Sequence, residues 1–371
     1  MLESKVWNVK KINFDLILIA AVIILSIFGV VMIYSSSSVW AEYKFGDSFK
    51  YLKSQSLFLI VGIVLMIIVS KYNYKQYKKH ANIILGVCFI LLILVIIPGI
   101  GTVRNGSRSW FGIGPFGIQP SEFMKLALII FTAKYLEKNN KYIGDIKKGV
   151  FPILGITLIS FALIMLQPDF GTGTILVMTI ICMLFVSGVK MGFFMKIGIV
   201  GLIGVVILIV IAPYRLQRIL SFVNPWVDPL GAGFQIIQSL YAIGPGGLLG
   251  MGLGNSIQKH FYLPEPQTDF IFSIISEELG FLGIVIVSGL FLTIIYRGIK
   301  IALNSEDLFG KYLAFGMIFQ LSFQAILNLM VVVGLIPVTG VTLPFLSYGG
   351  SSLLITMVSM GILLNISRCQ K

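Results

Sequence analysis

The sequence predicts an all-α polytopic membrane protein: ten transmembrane helices, both termini in the cytoplasm, and a large extracytoplasmic loop between helices 7 and 8. Three observations predict it: apolar runs recur along the whole chain, charge is scarce, and the Lys and Arg residues are unevenly placed. Of 371 residues, 57% are hydrophobic and 12% charged, more apolar surface than a soluble chain of this size can bury. A run of about 17–25 apolar residues crosses ~30 Å of hydrocarbon. In lipid each backbone polar group must be satisfied within its own element, so each run is a helix.

The runs lie at 14–34, 55–71, 81–98, 121–137, 150–166, 172–189, 195–212, 269–296, 312–335 and 351–367. The first follows Lys5, Lys10 and Lys11 and lacks a small-residue cleavage site, so it reads as a retained helix rather than a removed signal. With the N-terminus placed in the cytoplasm, 19 of the 28 Lys and Arg fall inside, 8 outside, and Lys125 within a helix. That bias obeys the positive-inside rule. The net charge of +13 is therefore topological. No basic patch with interleaved aromatics lies on one face, so nucleic acid is not an expected partner.

Cys88, Cys182 and Cys369 fall in two helices and the inner tail, which implies no disulfide framework, and His80 and His260 lie far apart with no metal-ligand spacing. The run Gly244–Gly254 is glycine-rich but lacks the Lys-Ser/Thr of a nucleotide-binding loop, which argues against an ATP-driven pump.

On this topology four polar stretches share the outer side: Gly106–Lys125, Gln167–Gly173, the long segment 213–268 leading to Asp269, and Ile336–Ser352, which contains Ser347. Loops on a rigid scaffold carry function, so the site is expected there. Within the long segment, Phe234–Gly244 has the spacing of an amphipathic half-helix lying in the interface; it serves equally as a packed loop element or as a platform for a lipid head group. Glu122 and Lys125, three apart on the fourth helix, can pair along one face. They either fix the bundle or touch substrate. Asp169 suits a helix cap. Glu277 and Glu278 fall at membrane depth, where ionisable residues face a cavity or the bundle interior.

Asp269 closes the stretch YLPEPQTDF. Thr268 or Asp269 can cap the eighth helix. Glu265, Lys259 and His260 share the loop, and Arg108, Arg215 and Arg218 lie on the same expected side. A carboxylate among cations beside lipid suits an anionic, lipid-linked substrate.

The stretches RSWFGIGPFGIQPSEFMK, QPDFGTG, SLYAIGPGGLLGMGLGNSIQKHFYLPEPQTDFIFSIISEELGFLG and PVTGVTLPFLSYGGSS resemble the SEDS family of bacterial shape, elongation, division and sporulation proteins (FtsW, RodA, SpoVE). The resemblance runs from the first helix to the last as a single membrane domain, 1–371, and is closer to the division and sporulation branch. Ser107 stands where the family usually has a smaller residue. The resemblance implies a peptidoglycan glycosyltransferase that polymerises lipid II at the outer face of the cytoplasmic membrane, at the septum for this branch. It implies a class B penicillin-binding transpeptidase and other divisome or sporulation cell-wall proteins as partners. Asp269 matches the family's essential carboxylate, Arg108 and Trp110 its RSW segment, and Glu122 and Lys125 its QPSEFMK segment.

The chemistry agrees. One positioned carboxylate can deprotonate an acceptor hydroxyl as general base. A lipid pyrophosphate leaves without a protonating acid, whereas a glycosidase needs a second carboxyl. The leaving group needs charge stabilisation, from Arg and Lys or from a divalent ion such as Mg²⁺, although no clustered carboxylates mark a metal site. Arg108, Arg215 and Lys259 are the candidates for the pyrophosphate and Trp110 for a sugar or lipid stem. Glu122, Lys125, Glu265, Thr268 and Ser347 complete the candidate substrate-binding set, with Asp269 catalytic. Two rivals stay open at this point: a lipid II flippase and a non-catalytic scaffold for the transpeptidase.

Overall fold

The computed structural model describes residues 14–104, 106–112, 117–211 and 213–369; at 205, 208, 211 and 213–215 it describes the backbone alone. Helix α1 spans Leu16–Phe45, α2 Lys50–Lys71 and α3 Lys75–Ile96. A two-stranded antiparallel hairpin follows, β1 Thr102–Arg104 and β2 Ser107–Trp110. Then come α4 (Pro120–Lys138), α5 (Phe151–Met165, led in by a π-turn at Ile146–Val150), α6 (Phe170–Val186) and α7 (Met191–Ile211). The chain continues through α8 (Pro213–Val223), α9 (Phe234–Ile243), α10 (Ile271–Leu303), α11 (Leu308–Val332) and α12 (Gly350–Arg368).

Each of the ten predicted runs lies on one of these helices. Among the described residues, seven helices are long and apolar enough to cross a membrane: α1, α2, α3, α5 with its lead-in, α10, α11 and α12. Helix α6 and the stretch Met191–Gly204 of α7 are apolar but shorter. Helix α4 differs because it carries Glu122, Lys125, Lys134, Glu137 and Lys138 in 19 residues. It tolerates them because protein covers it. Met124, Leu128, Ala133 and Leu136 are fully buried, with α3, α6 and α11 packed around them.

Two caps tie the bundle at the end remote from Asp269. Asp15 accepts from Leu18 N at 3.0 Å, starting α1, and the Arg297 guanidinium of α10 grips the same carboxylate at 2.6 Å. Asp307 starts α11 by accepting from Gly310 N at 2.6 Å and takes the Tyr74 hydroxyl at 2.7 Å. An oxygen acceptor at a helix start satisfies an otherwise orphaned N–H.

The segment 213–268 is more helical than expected. Helix α8, which starts at Pro213, carries Arg215 and Arg218. Helix α9 falls on the predicted half-helix, and it turns one face inward. Ile236, Ile237, Ser239 and Ala242 are buried, and Ser239 bonds to Ser273 and to the Val332 carbonyl, both at 2.7 Å.

Helix α10 is broken at Gly280, whose φ of 61° and ψ of −157° suit glycine alone. The glycine-rich run fills the break. Phe281 N and Leu282 N donate to the carbonyls of Gly247 and Leu248, at 2.9 and 3.1 Å, while the carbonyls of Glu277 and Glu278 accept from Met251 N and Gly252 N, at 2.9 and 3.0 Å. Residues 247–252 thus form a strap that satisfies the backbone groups the break sets free. The glycines are required because the backbones touch: a Cβ on Gly280 would collide with Gly250 N and lie 2.6 Å from Gly246 O.

Candidate active site

The four polar stretches meet. Ser107 donates to the Gln167 carbonyl, and Gln119 Nε2 donates to Asp169 Oδ2 at 3.0 Å, joining the first stretch to the second. The Ser351 hydroxyl accepts from Gln119 N at 3.1 Å and donates to the Gly117 carbonyl at 2.9 Å, joining the first to the fourth. Gly171 lies so close to the fourth that a Cβ there would sit 2.7 Å from Thr339 O. The third stretch joins through Tyr348 N, which donates to Gln267 O at 2.8 Å, and through Arg218, which donates to the Val338 carbonyl at 3.0 Å.

Asp269 stands at this junction, in the turn before α10. The Thr268 hydroxyl lies 2.8 Å from its Oδ1 and 2.7 Å from the Glu265 carbonyl. Glu265 has φ 45°, a left-handed conformation that folds the turn back on itself. Burial, above all, pushes the Asp269 carboxyl above its usual range; the nearby Glu265 charge adds to this, while the Thr268 hydrogen bond and the Arg218 charge oppose it. A carboxylate raised this way is a stronger base at neutral pH.

The remaining candidates divide. Glu122 and Lys125 pair at 2.9 Å inside the bundle, and Lys125 also donates to Gln324 Oε1 at 2.9 Å. Both charges bear on Asp169, whose carboxyl burial pushes up. Arg108 and Trp110 lie on β2, with the Arg104 guanidinium 5.0 Å from the Trp110 ring centre. Arg215 lies on α8, and its side chain falls outside the described residues. Ser347 is buried, its hydroxyl accepting from Leu343 N at 2.8 Å to close the turn around Phe345. Lys259 is buried beneath the strap, bound to Glu278 Oε1 at 3.2 Å and to the Gly254 carbonyl. Its ammonium is thereby committed to the loop's own architecture. Among the described residues no group of three or more His, Cys, Asp or Glu gathers to hold a metal.

The chain and its fold have counterparts among known proteins. The family description "cell cycle protein", covering FtsW, RodA and SpoVE, matches residues 15–371. The chain belongs to the FtsW, RodA and SpoVE family. It is 54% identical over 359 residues to stage V sporulation protein E of Bacillus subtilis, covering 97% of this chain and 98% of that protein. It is 44% identical to a probable peptidoglycan glycosyltransferase FtsW of Geobacter sp. strain M18, covering 96% and 97%. Among solved structures it matches a chain of a peptidoglycan synthase complex, described as coordinating polymerization and crosslinking, with TM-score 0.79 and 32% identity over 96% of this chain and 98% of that one. As a member of this family with seven apolar spanning-length helices, it is a multi-pass membrane protein.

In this FtsW, RodA and SpoVE family member the sequence reading placed Glu277 and Glu278 at membrane depth without their partners. Glu277 accepts from Ser256 Oγ at 2.6 Å and Ile257 N at 2.8 Å. Glu278 accepts from Ser35 of α1 at 2.6 Å and from Lys259. The two carboxylates therefore hold the loop at 256–259 that follows the strap, and Glu278 ties it to α1. Gln324 and Asn328 are the other omission. Asn328 Nδ2 donates to the carbonyls of Asp269, at 2.6 Å, and Val341, at 2.7 Å. A signal existed: two amides four apart in an apolar run share one helix face.

Proposed function

We propose that this chain is a peptidoglycan glycosyltransferase that polymerises lipid II, with Asp269 as general base. The observation that carries the reading is the buried, raised carboxylate of Asp269 at the junction of four polar stretches, where the other raised carboxyl, Asp169, is occupied by Thr172 N and Gln119, in a chain whose relatives include proteins named peptidoglycan glycosyltransferases. Asp269 takes the proton of the acceptor sugar's 4-hydroxyl as its oxygen bonds to the donor's anomeric carbon. The bond from that carbon to the lipid pyrophosphate breaks, and the pyrophosphate leaves with the electron pair. Arg218, which bears on Asp269, and Arg108 and Arg104 on the hairpin supply positive charge for that departure. Trp110 offers a face for a sugar ring or lipid stem.

The site then faces the outside, the ten runs cross the membrane, and both termini are cytoplasmic, as the charge bias supports. A transpeptidase of the class B penicillin-binding type is the partner this reading calls for, in septal or sporulation wall synthesis. The solved peptidoglycan synthase complex and the sporulation relative support that assignment. Flipping has less to support it. The buried charges that could line a polar path, Glu122, Lys125, Glu277 and Glu278, are all bound by protein partners.

The test is purified protein in detergent with labelled lipid II and the cognate transpeptidase. Glycan strands are expected. No polymer, with transfer of lipid II across a vesicle bilayer instead, would establish the flippase.

A further inference from the structure

The Thr268 hydroxyl has two oxygen neighbours and one proton. Glu265 O is an acceptor only, at 2.7 Å, and already accepts Thr268 N at 3.0 Å. Asp269 Oδ1, at 2.8 Å, is an acceptor when charged and can be a donor when protonated. Two arrangements therefore fit the same heavy-atom positions. With Asp269 charged, Thr268 O–H points at Oδ1. With Asp269 protonated at Oδ1, the carboxylic O–H donates to Thr268 Oγ1, and the Thr268 proton turns to Glu265 O. Neither leaves a donor unpaired, and only a hydroxyl rotor moves.

Resting on the assignment of Asp269 as base, we propose that Thr268 is the positioning residue that serves both protonation states of Asp269 during proton transfer, by exchanging one hydroxyl proton between Asp269 and the Glu265 carbonyl. The acceptor sugar's O–H bond breaks and its proton arrives on Asp269 Oδ1; the new carboxylic O–H turns to Thr268 Oγ1, and the Thr268 proton swings to Glu265 O to make room for it. Release of the Asp269 proton to water resets the pair. Solvation normally reorganises when a carboxylate loses its charge; here the partner is in place beforehand, which preorganisation favours. The positive φ of Glu265 has a role in this. It turns the carbonyl back toward Thr268, supplying the second resting place for the proton. The charged groups that bear on Asp269 are Glu265 on its own turn and Arg218 from α8. Neither changes its covalent state in the exchange.

Thr268→Val keeps the shape and removes the hydroxyl; Thr268→Ser keeps the hydroxyl and removes the methyl. Steady-state polymerisation of labelled lipid II is measured against pH, with melting temperature alongside. Thr268→Val is expected to lower kcat about tenfold or more, the scale of one hydrogen bond to a charged group, with KM little changed. The acid limb of its pH profile moves to higher pH, because Thr268 bonds both states but the charged carboxylate more strongly, and that larger stabilisation is gone. Thr268→Ser restores both. Parental kcat and profile in Thr268→Val would overturn the proposal, as would a change confined to KM or a Ser variant as impaired as the Val variant. If Thr268→Val is lost from the membrane, Thr268→Ala is read in its place with the same expectations. Full activity in Asp269→Asn would instead sink the base assignment itself. Loss in Asp269→Asn with parental kcat in Thr268→Val would sink this inference alone.

Discussion

Asn328 suspends Asp269 from helix α11. Its amide nitrogen sits between two main-chain carbonyls, that of Asp269 at 2.6 Å and that of Val341 at 2.7 Å. The orientation is forced, because the flipped amide would set oxygen against both carbonyls. One buried side chain thus fixes the turn bearing the carboxylate to the loop that faces it. Replacing it with Leu leaves two carbonyls short of a donor, at about 1–3 kcal/mol each. Asn328→Leu is expected to melt lower than the parent and to polymerise poorly even well below its melting temperature. Parental turnover in the folded variant would show that the tether does not hold the site.

Asp269→Asn separates shape from catalysis. Helix α10 starts from Phe270 with no side-chain cap, so neither Thr268 nor Asp269 is the cap the sequence offered, and because Asn keeps the shape of Asp, melting should be little changed. As a base it is inert, and loss of general-base help costs about 10²–10⁴-fold. A stable variant with near-parental polymerisation would remove Asp269 from the chemistry.

The pH dependence follows from the direction of the Asp269 shift. Burial raises its proton affinity, so the charged, basic form prevails only above that raised value. Polymerisation should fall as pH drops, with a midpoint above the ordinary Asp value of ~3.9. A rate unchanged down to that ordinary value would contradict the burial.

Glu122→Ala strips Lys125 of its buried counter-ion. Breaking such a pair costs about 3–5 kcal/mol, and the retained Gln324 contact places this case toward the lower figure. A lower yield and melting temperature are expected. The double replacement Glu122→Leu with Lys125→Met should recover part of the loss, since no unpaired charge remains.

Gly280→Ala tests the strap. The new methyl meets the strap backbone at Gly246 and Gly250, in a conformation Ala rarely adopts. Loss of the fold, or protease sensitivity within 247–252, is expected. Gly289→Ala on the same helix meets nothing within 4 Å and should behave as the parent.

Much of this was legible in the sequence because lipid simplifies the problem: a long apolar run has one backbone solution, so each of the ten predicted stretches falls on a helix. The meeting of the polar stretches was legible for the same reason, since alternating runs sort loops onto two sides. Partnerships across the fold were not. Lys259 read as a free cation for substrate, but its partner Glu278 is brought over by a backbone insertion that no spacing rule encodes. The same insertion recast a weak phosphate-loop resemblance as a structural strap. Asn328 went unremarked, because its role rests on two carbonyls from other segments.

The break in α10 also bears on how the site takes shape. The strap at 247–252 precedes α10 in the chain, yet the helix relies on it to satisfy the carbonyls of Glu277 and Glu278. Hydrocarbon offers no substitute for those partners. The broken form of α10 therefore exists only with its loop docked: without the strap, Glu277 O and Glu278 O would pair with Phe281 N and Leu282 N as in an unbroken helix. The turn holding Asp269, which joins strap and helix, takes its shape from that docking.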